Sequence, residues 1–236
     1  MTDPDPLQRL IEASVADPRR EPEFLRALLD AKLYLHIARP RPGSRTRVIQ
    51  FDRPDGLRVT PLFTTTDRAE RAAAGVVDVG TMVGRELFVA TRGHVLMIDP
   101  NDTTCTLYPE EVEALLAGNA AVAPMLFDGE GMVAIAESDP NGFGATARQA
   151  LEPVEPVESL TLGRTGNDAW LVIASVPSAW AERAARALSL ALGSRTVPPT
   201  VTIDFTTLDP EEGVPEWYTT AGLRPFWIRP TAARTH

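Results

Sequence analysis

Few side chains in this sequence suit covalent or acid–base chemistry. Cys105 is the only cysteine and the internal histidines are His36 and His94, so a thiol nucleophile would need one of those two rings as its base. A lone cysteine in a strand more commonly serves as a small buried hydrophobe, and no Gly-x-Ser-x-Gly elbow offers a serine instead. Three histidines and one cysteine stand at no zinc-binding spacing. Asp99, Asn101 and Asp102 resemble the opening of a calcium loop but lack the glycine at its sixth position, so they read as a hydrogen-bonded turn. Lys32 is the only lysine, no Gly-Lys-Ser/Thr exists, and a P-loop is excluded. Gly142-Phe143-Gly144-Ala145-Thr146-Ala147 is half of a dinucleotide fingerprint without its third glycine. The expectation is therefore no catalytic residue, no metal site and no cofactor.

Two groups of residues suit recognition better than reaction. Arg39, Arg41, Arg45 and Arg47 surround Pro40, Pro42 and Gly43. Four guanidiniums on one loop can grip a carboxylate, a phosphate or an acidic protein face through paired hydrogen bonds. They can equally keep a hairpin tip soluble or contact acidic residues of their own chain. Trp217, Tyr218, Phe226 and Trp227 form an aromatic-rich tail, of which Trp217 and Trp227 are the candidate interface anchors. The competing reading is that these rings, beside Pro215, Pro225 and Pro230, pack the closing segment onto its own domain.

The charge balance narrows the partners. Over 236 residues the net charge is −9, a sign that repels nucleic-acid phosphates and anionic lipid at long range, so neither is an expected partner. No apolar run approaches the roughly 18 residues of a spanning helix. Met1 is followed by Asp3 and Asp5 without a basic start or apolar stretch, so no signal peptide is expected. With one cysteine, no disulfide forms within the chain, and the cytoplasm is the expected compartment.

The elements that must position these residues follow from periodicity. Leu7, Leu10, Ile11 and Val15 predict one buried helix face, and Glu21-Pro22 opens a second helix with Phe24, Leu25, Leu28 and Leu29 as its stripe. The period then drops to two at 33–37 and 48–51, predicting two strands, and Leu57 to Phe63, after the Asp55-Gly56 turn signal, is a third. A short helix is predicted from Thr66 or Asp67 to Ala74 and another over 81–92, weakened by Gly84. Strands follow at 94–98 and 105–108, then a helix at 109–117 with Pro109, Glu110 and Glu111 at its start and Gly118 as its stop. The order is ααβββααββα. Residues 119–158 hold seven acids against Arg148 and end Pro153-Val154-Glu155-Pro156-Val157-Glu158, which reads as a linker with a possible hairpin followed by an extended, solvated run. Beyond it, strands are predicted at 170–174 and 201–205 with a helix from Ser178 to Leu192 between them. The expected fold is α+β: two mixed α/β domains, 1–118 and 159–236, joined by an acidic Pro/Ala/Gly-rich connecting region, 119–158.

Four motifs in order carry a resemblance: Glu23 to Leu35 (EFLRALLDAKLYL), Pro61-Leu62-Phe63-Thr64-Thr65, the strand and proline turn over 95–102 (VLMIDPND), and Leu107-Tyr108-Pro109-Glu110-Glu111-Val112. Together they resemble the SseB family, the enhanced serine sensitivity proteins of bacteria, over about residues 7–118. The second half is looser, matching chiefly in Thr202-Ile203-Asp204-Phe205 and Pro225-Phe226-Trp227. The resemblance implies a cytoplasmic α+β protein with no established catalytic machinery, because the family name records a phenotype.

The expected function is non-catalytic: binding another protein, through the arginine loop or a groove between domains. The alternative is a regulatory protein holding a small amino-acid-like anion between its domains. Oligomeric state and partner identity are not legible.

Overall fold

The computed structural model describes residues 6–17, 20–39, 47–100, 102, 105–119, 133–139, 141–166, 169–193 and 202–230. The chain divides into two compact units, Met1–Val122 and Ala123–His236, and both combine helices with mixed sheets, an α+β fold.

In the first unit, α1 (Pro6–Ala16) and α2 (Glu21–Asp30) lead into β1 (Lys32–Ile37), β2 (Phe51–Asp52) and β3 (Arg58–Phe63). Then come α3 (Thr66–Ala73), β4 (Asp78–Val83), α4 (Gly84–Ala90), β5 (Val95–Ile98), β6 (Cys105–Leu107) and α5 (Pro109–Leu116). The sheet order is β4-β1-β3-β5-β6 with β2 also on β3, and only β3 and β5 run parallel. Leucines from alternate positions of the strands (Leu33, Leu35, Leu62, Leu96, Leu107) meet the stripes of α1, α2, α4 and α5 in one core. The α2 stripe is buried as its spacing predicts, while Val15 of α1 is 66% exposed, so that helix buries only Leu7 and Ile11.

The expected helix over 81–92 is corrected here. Residues 78–83 are a strand lying antiparallel to β1 from Lys32↔Val83 to Ile37↔Asp78, and the helix starts at Gly84. That glycine is required: a Cβ there would lie 1.8 Å from the Leu28 carbonyl oxygen, so only a bare backbone lets α4 begin against α2.

The second unit contains β7 (Val133–Ile135), α6 (Phe143–Leu151), β8 (Ser159–Thr165), β9 (Trp170–Ser175), α7 (Ala181–Gly193), β10 (Ile203–Leu208), α8 (Glu216–Thr220) and β11 (Trp227–Ile228). The strands at 170–174 and 201–205 and the helix between them correspond to β9, β10 and α7; β9 and β10 pair in parallel across that helix. The order is β10-β9-β8-β11, with β7 also on β8. Alternate residues of β9 face opposite sides: Val172 and Ala174 join α6 and α7, while Leu171 and Ile173 join Tyr218 and Leu223.

This placement overturns the linker reading for the described part of 119–158. From Val133 onward the stretch is built into the second unit. Val154, Val157 and Leu160 are fully buried while Glu152, Glu155 and Glu158 are exposed. The prolines do not extend this run, which makes two consecutive turns, closed by Val154 N–H to Leu151 O and Val157 N–H to Val154 O, both 3.0 Å. A three-residue repeat of valine thus points inward from an acidic surface.

Candidate functional site

The groups with the most reactive side chains are committed to the fold. Cys105 pairs with Ile98 in the β5–β6 register, whereas His94 precedes Val95 at the other end of β5, about 13 Å along the strand. The thiol instead faces Glu21 Oε1 at 3.9 Å. His36 is buried and its Nε2–H donates to the Ala69 carbonyl at 2.8 Å, which joins α3 to β1. His94 Nδ1 stands 3.3 Å from both the Gln50 amide and the Thr60 hydroxyl. No thiol–imidazole pair is assembled among the described residues.

Asp99 sits where the parallel strands β3 and β5 end. It is 1% exposed and holds a left-handed backbone, φ +46°. Its carboxylate accepts from Thr64 N–H (2.9 Å), from the Thr64 hydroxyl (2.6 Å) and from Arg68 Nη1 (3.0 Å), and Arg68 Nη2 reaches Asp102 at 2.8 Å. Every partner is a protein group. The turn expected from composition is therefore a buried ionic clasp on α3; Asn101 lies outside the described residues. No group of three metal-ligating side chains occurs among the described residues.

The arginine loop is described only at its ends. Arg41 and Arg45 lie outside the described residues. Arg39 donates to the Gly75 carbonyl and stands 3.5 Å from Asp78, so its charge is engaged within the first unit. Arg47 has an exposed side chain, and its carbonyl accepts from Ala38 N–H at 2.8 Å, closing the base of the loop.

The aromatic tail is split. Trp227 is 7% exposed and belongs to the core with Leu151, Val172 and Phe205, so it is a packing residue and the reading of its ring as an interface anchor is corrected. Burial follows from β11 alternation: Trp227 points in, opposite Leu160, and Ile228 points out. Trp217 is half-buried, edge-on to Tyr218 at 5.9 Å, against the Leu171–Ile173 face. Tyr218 in turn shares a hydrogen bond with Thr161 at 2.7 Å.

What the second unit leaves open lies beside these rings. β7 pairs with β8 as far as Ile135↔Gly163, and β11 pairs with it from Trp227↔Leu160, so Thr161 and Leu162 have no strand partner on that edge. A cleft of about 730 Å³ sits there, lined by Ile135, Leu162, Ala145, Phe226, Arg224 and Ser138 among others. A second hollow of about 480 Å³ shares Ala145 and Phe226 with it and continues to Arg148, Glu152 and Trp227. Ile135 and Phe226 are 53% and 46% exposed.

The floor of the cleft is the first turn of α6. Asp139 caps it, accepting from Phe143 N–H through Oδ1 and Gly144 N–H through Oδ2, each at 2.8 Å. The half-fingerprint glycine Gly144 is explained by packing, since a Cβ there would come within 3.4 Å of the Phe226 ring and 3.2 Å of Asp139 Oδ2. Arg229 holds the other end of α6, donating to the carbonyls of Glu152 (2.9 Å), Val154 (2.9 Å) and Val157 (2.7 Å), and so fixes the tail that carries Phe226. Arg224 and Ser138 make no hydrogen bond or ion pair with another described residue.

Sequence reasoning singles out Phe226 but not Ile135, Leu162 or Arg224. The spacing Phe143, Ala147, Leu151 was the available signal for α6; nothing local marks the break in the β8 edge.

Residues 7–114 match the SseB protein N-terminal domain, a span that opens within α1 and closes within α5. No curated protein and no solved structure matches the chain.

Proposed function

From the premise that the first unit of this chain is an SseB N-terminal domain, we propose that the protein is non-catalytic and works by binding another protein, through the cleft of its second unit. The observation that carries this reading is the pair of exposed apolar side chains, Ile135 and Phe226, beside a break in a sheet edge. Water-exposed apolar surface in a concave setting gains free energy when a partner covers it. The engaged state of Arg39 favours the cleft over the arginine loop as the principal surface. One cysteine and an acidic chain suit a cytoplasmic role away from nucleic acid and lipid, and no described helix is long and apolar enough to cross a membrane.

Replacing Phe226 with the photo-crosslinker p-benzoylphenylalanine tests this directly. Irradiation in host cells should give a discrete adduct that Ile135→Asp abolishes and that the same label at exposed Val89 of α4 does not give. No adduct at 226, or identical products at both positions, would overturn the reading. A second reading, binding of a small amino-acid-like anion, is supported by the unengaged guanidinium of Arg224 at the cleft. Thermal-shift screening separates it, because a ligand at 100 times its dissociation constant adds about 2.7 kcal/mol.

A further inference from the structure

We infer that the cleft takes the C-terminal end of a partner polypeptide, an apolar last side chain with its free carboxylate; this rests on the reading that the second unit binds protein. The walls call for both halves of that ligand. Ile135, Ala145, Leu162 and Phe226 present carbon to the cleft, and Arg224 lines the same space with a guanidinium that no described residue engages. Asp139, the acid nearest to hand, has each oxygen accepting from an amide of α6. An exposed guanidinium beside a carbon surface matches a carboxylate held close to an apolar group, and a guanidinium binds a carboxylate through two parallel hydrogen bonds. The last residue of a chain carries side chain and carboxylate on one Cα, so it meets both requirements at once.

Geometry favours a chain end over a strand running through. The unpaired edge of β8 covers only Thr161 and Leu162 and is closed by β7 on one side and β11 on the other. Extended backbone laid there must stop after about two residues. The rest of the ligand has a path, because the second hollow adjoins the first across Phe226 and Ala145. The cleft alone, about 730 Å³, is of a size that serves a small ligand; the adjoining hollow of about 480 Å³ gives a longer chain room to continue, which favours a polypeptide over a free acid.

The test is a titration of the full chain, followed by backbone amide shifts, with three probes: acetyl-Ala-Ala-Leu-Leu as the free acid, the same peptide as its C-terminal amide, and leucine. The free acid should shift Gly144, Ala145, Leu162 and Gly222, and the amide should bind at least about tenfold more weakly. Arg224→Gln, at an exposed side chain, should lower the acid to the level of the amide while leaving the amide's affinity and the far-UV spectrum unchanged. Equal binding of acid and amide, or shifts absent from the cleft, would overturn the inference, and leucine binding as tightly as the peptide would overturn the choice of a polypeptide. An adduct at position 226 together with equal acid and amide binding removes this inference alone; loss of both removes the protein-binding reading as well.

Discussion

The two units use the same kinds of element, and each pairs polar side chains inside its fold, Thr161 with Tyr218 in the second; they differ in one cluster apiece. In the first, polar side chains inside the fold are matched with each other: Asp99 with Thr64 and Arg68, His36 with the Ala69 carbonyl. In the second, apolar side chains and an unengaged guanidinium stand together at the surface around an interrupted sheet edge. Burying a charge among protein partners gives a unit reasons to hold one shape. Leaving apolar surface and charge exposed gives a unit something to bind. The family match lies in the first unit and the cleft proposed for binding in the second, so on that proposal what identifies the chain and what it would bind with are separate stretches of sequence.

The contrast can be broken experimentally, because all four tryptophans, Trp170, Trp180, Trp217 and Trp227, lie in the second unit. Asp99→Ala should have the largest effect. It removes the buried acceptor shared by Thr64 and Arg68, leaving Arg68 with Asp102 as its one carboxylate partner among the described residues, and should cost about 3–5 kcal/mol. In urea, far-UV circular dichroism should gain an early transition while the tryptophan midpoint holds; movement of both together would show that the units are not independent. Leu151→Ala removes a fully buried side chain of α6 and should cost roughly 2–5 kcal/mol, read as a lowered tryptophan midpoint. An unchanged midpoint would mean that residues 143–157 do not belong to the second core.

Smaller effects sharpen the picture. Arg229→Ala removes the side-chain donor shared by the carbonyls of Glu152 at the end of α6 and of Val154 and Val157 in the turns after it and should cost about 1.5–3 kcal/mol, again in the tryptophan transition alone. Asp209 gives the smallest effect. The Ser178 hydroxyl, then the backbone N–H groups of Glu211 and Ser178, hold its carboxyl below the ordinary 3.8. Its contribution is therefore full above pH 3.8 and lost as pH falls through the lowered value. Asp209→Asn should slightly lower the stability of the second unit near neutrality and flatten its acid-induced decline; an unaltered pH profile would show that the Ser178 contact contributes nothing.

Where a local pattern and the tertiary environment agree, the sequence is readable. The α2 stripe, the alternation of β1, and the proline-led start of α5 are recoverable because each follows the pattern of the structure it forms. β4, with Gly80 and Thr81 between its apolar positions, lacks that alternation and is a strand because β1 lies beside it along six residue pairs. Gly84 reads locally as a weak helix position, and its purpose emerges only from the Leu28 carbonyl 1.8 Å from where its Cβ would be. In the Pro-Val-Glu repeat composition misleads, because proline, glutamate and charge describe the outward face while the valines between them are core.

By itself, then, the sequence determined the α+β class, most elements of the first unit, the family resemblance and the scarcity of reactive side chains, all of which depend on residue type and short-range spacing. Only the tertiary structure decided that Trp227 is core, that Arg39 is engaged, and that Ile135, Leu162, Arg224 and Phe226 share one cleft. Those four residues are separated by up to 91 positions in the chain. Their meeting depends on where β7 and β11 stop along β8, and strand register is set by packing across the whole unit.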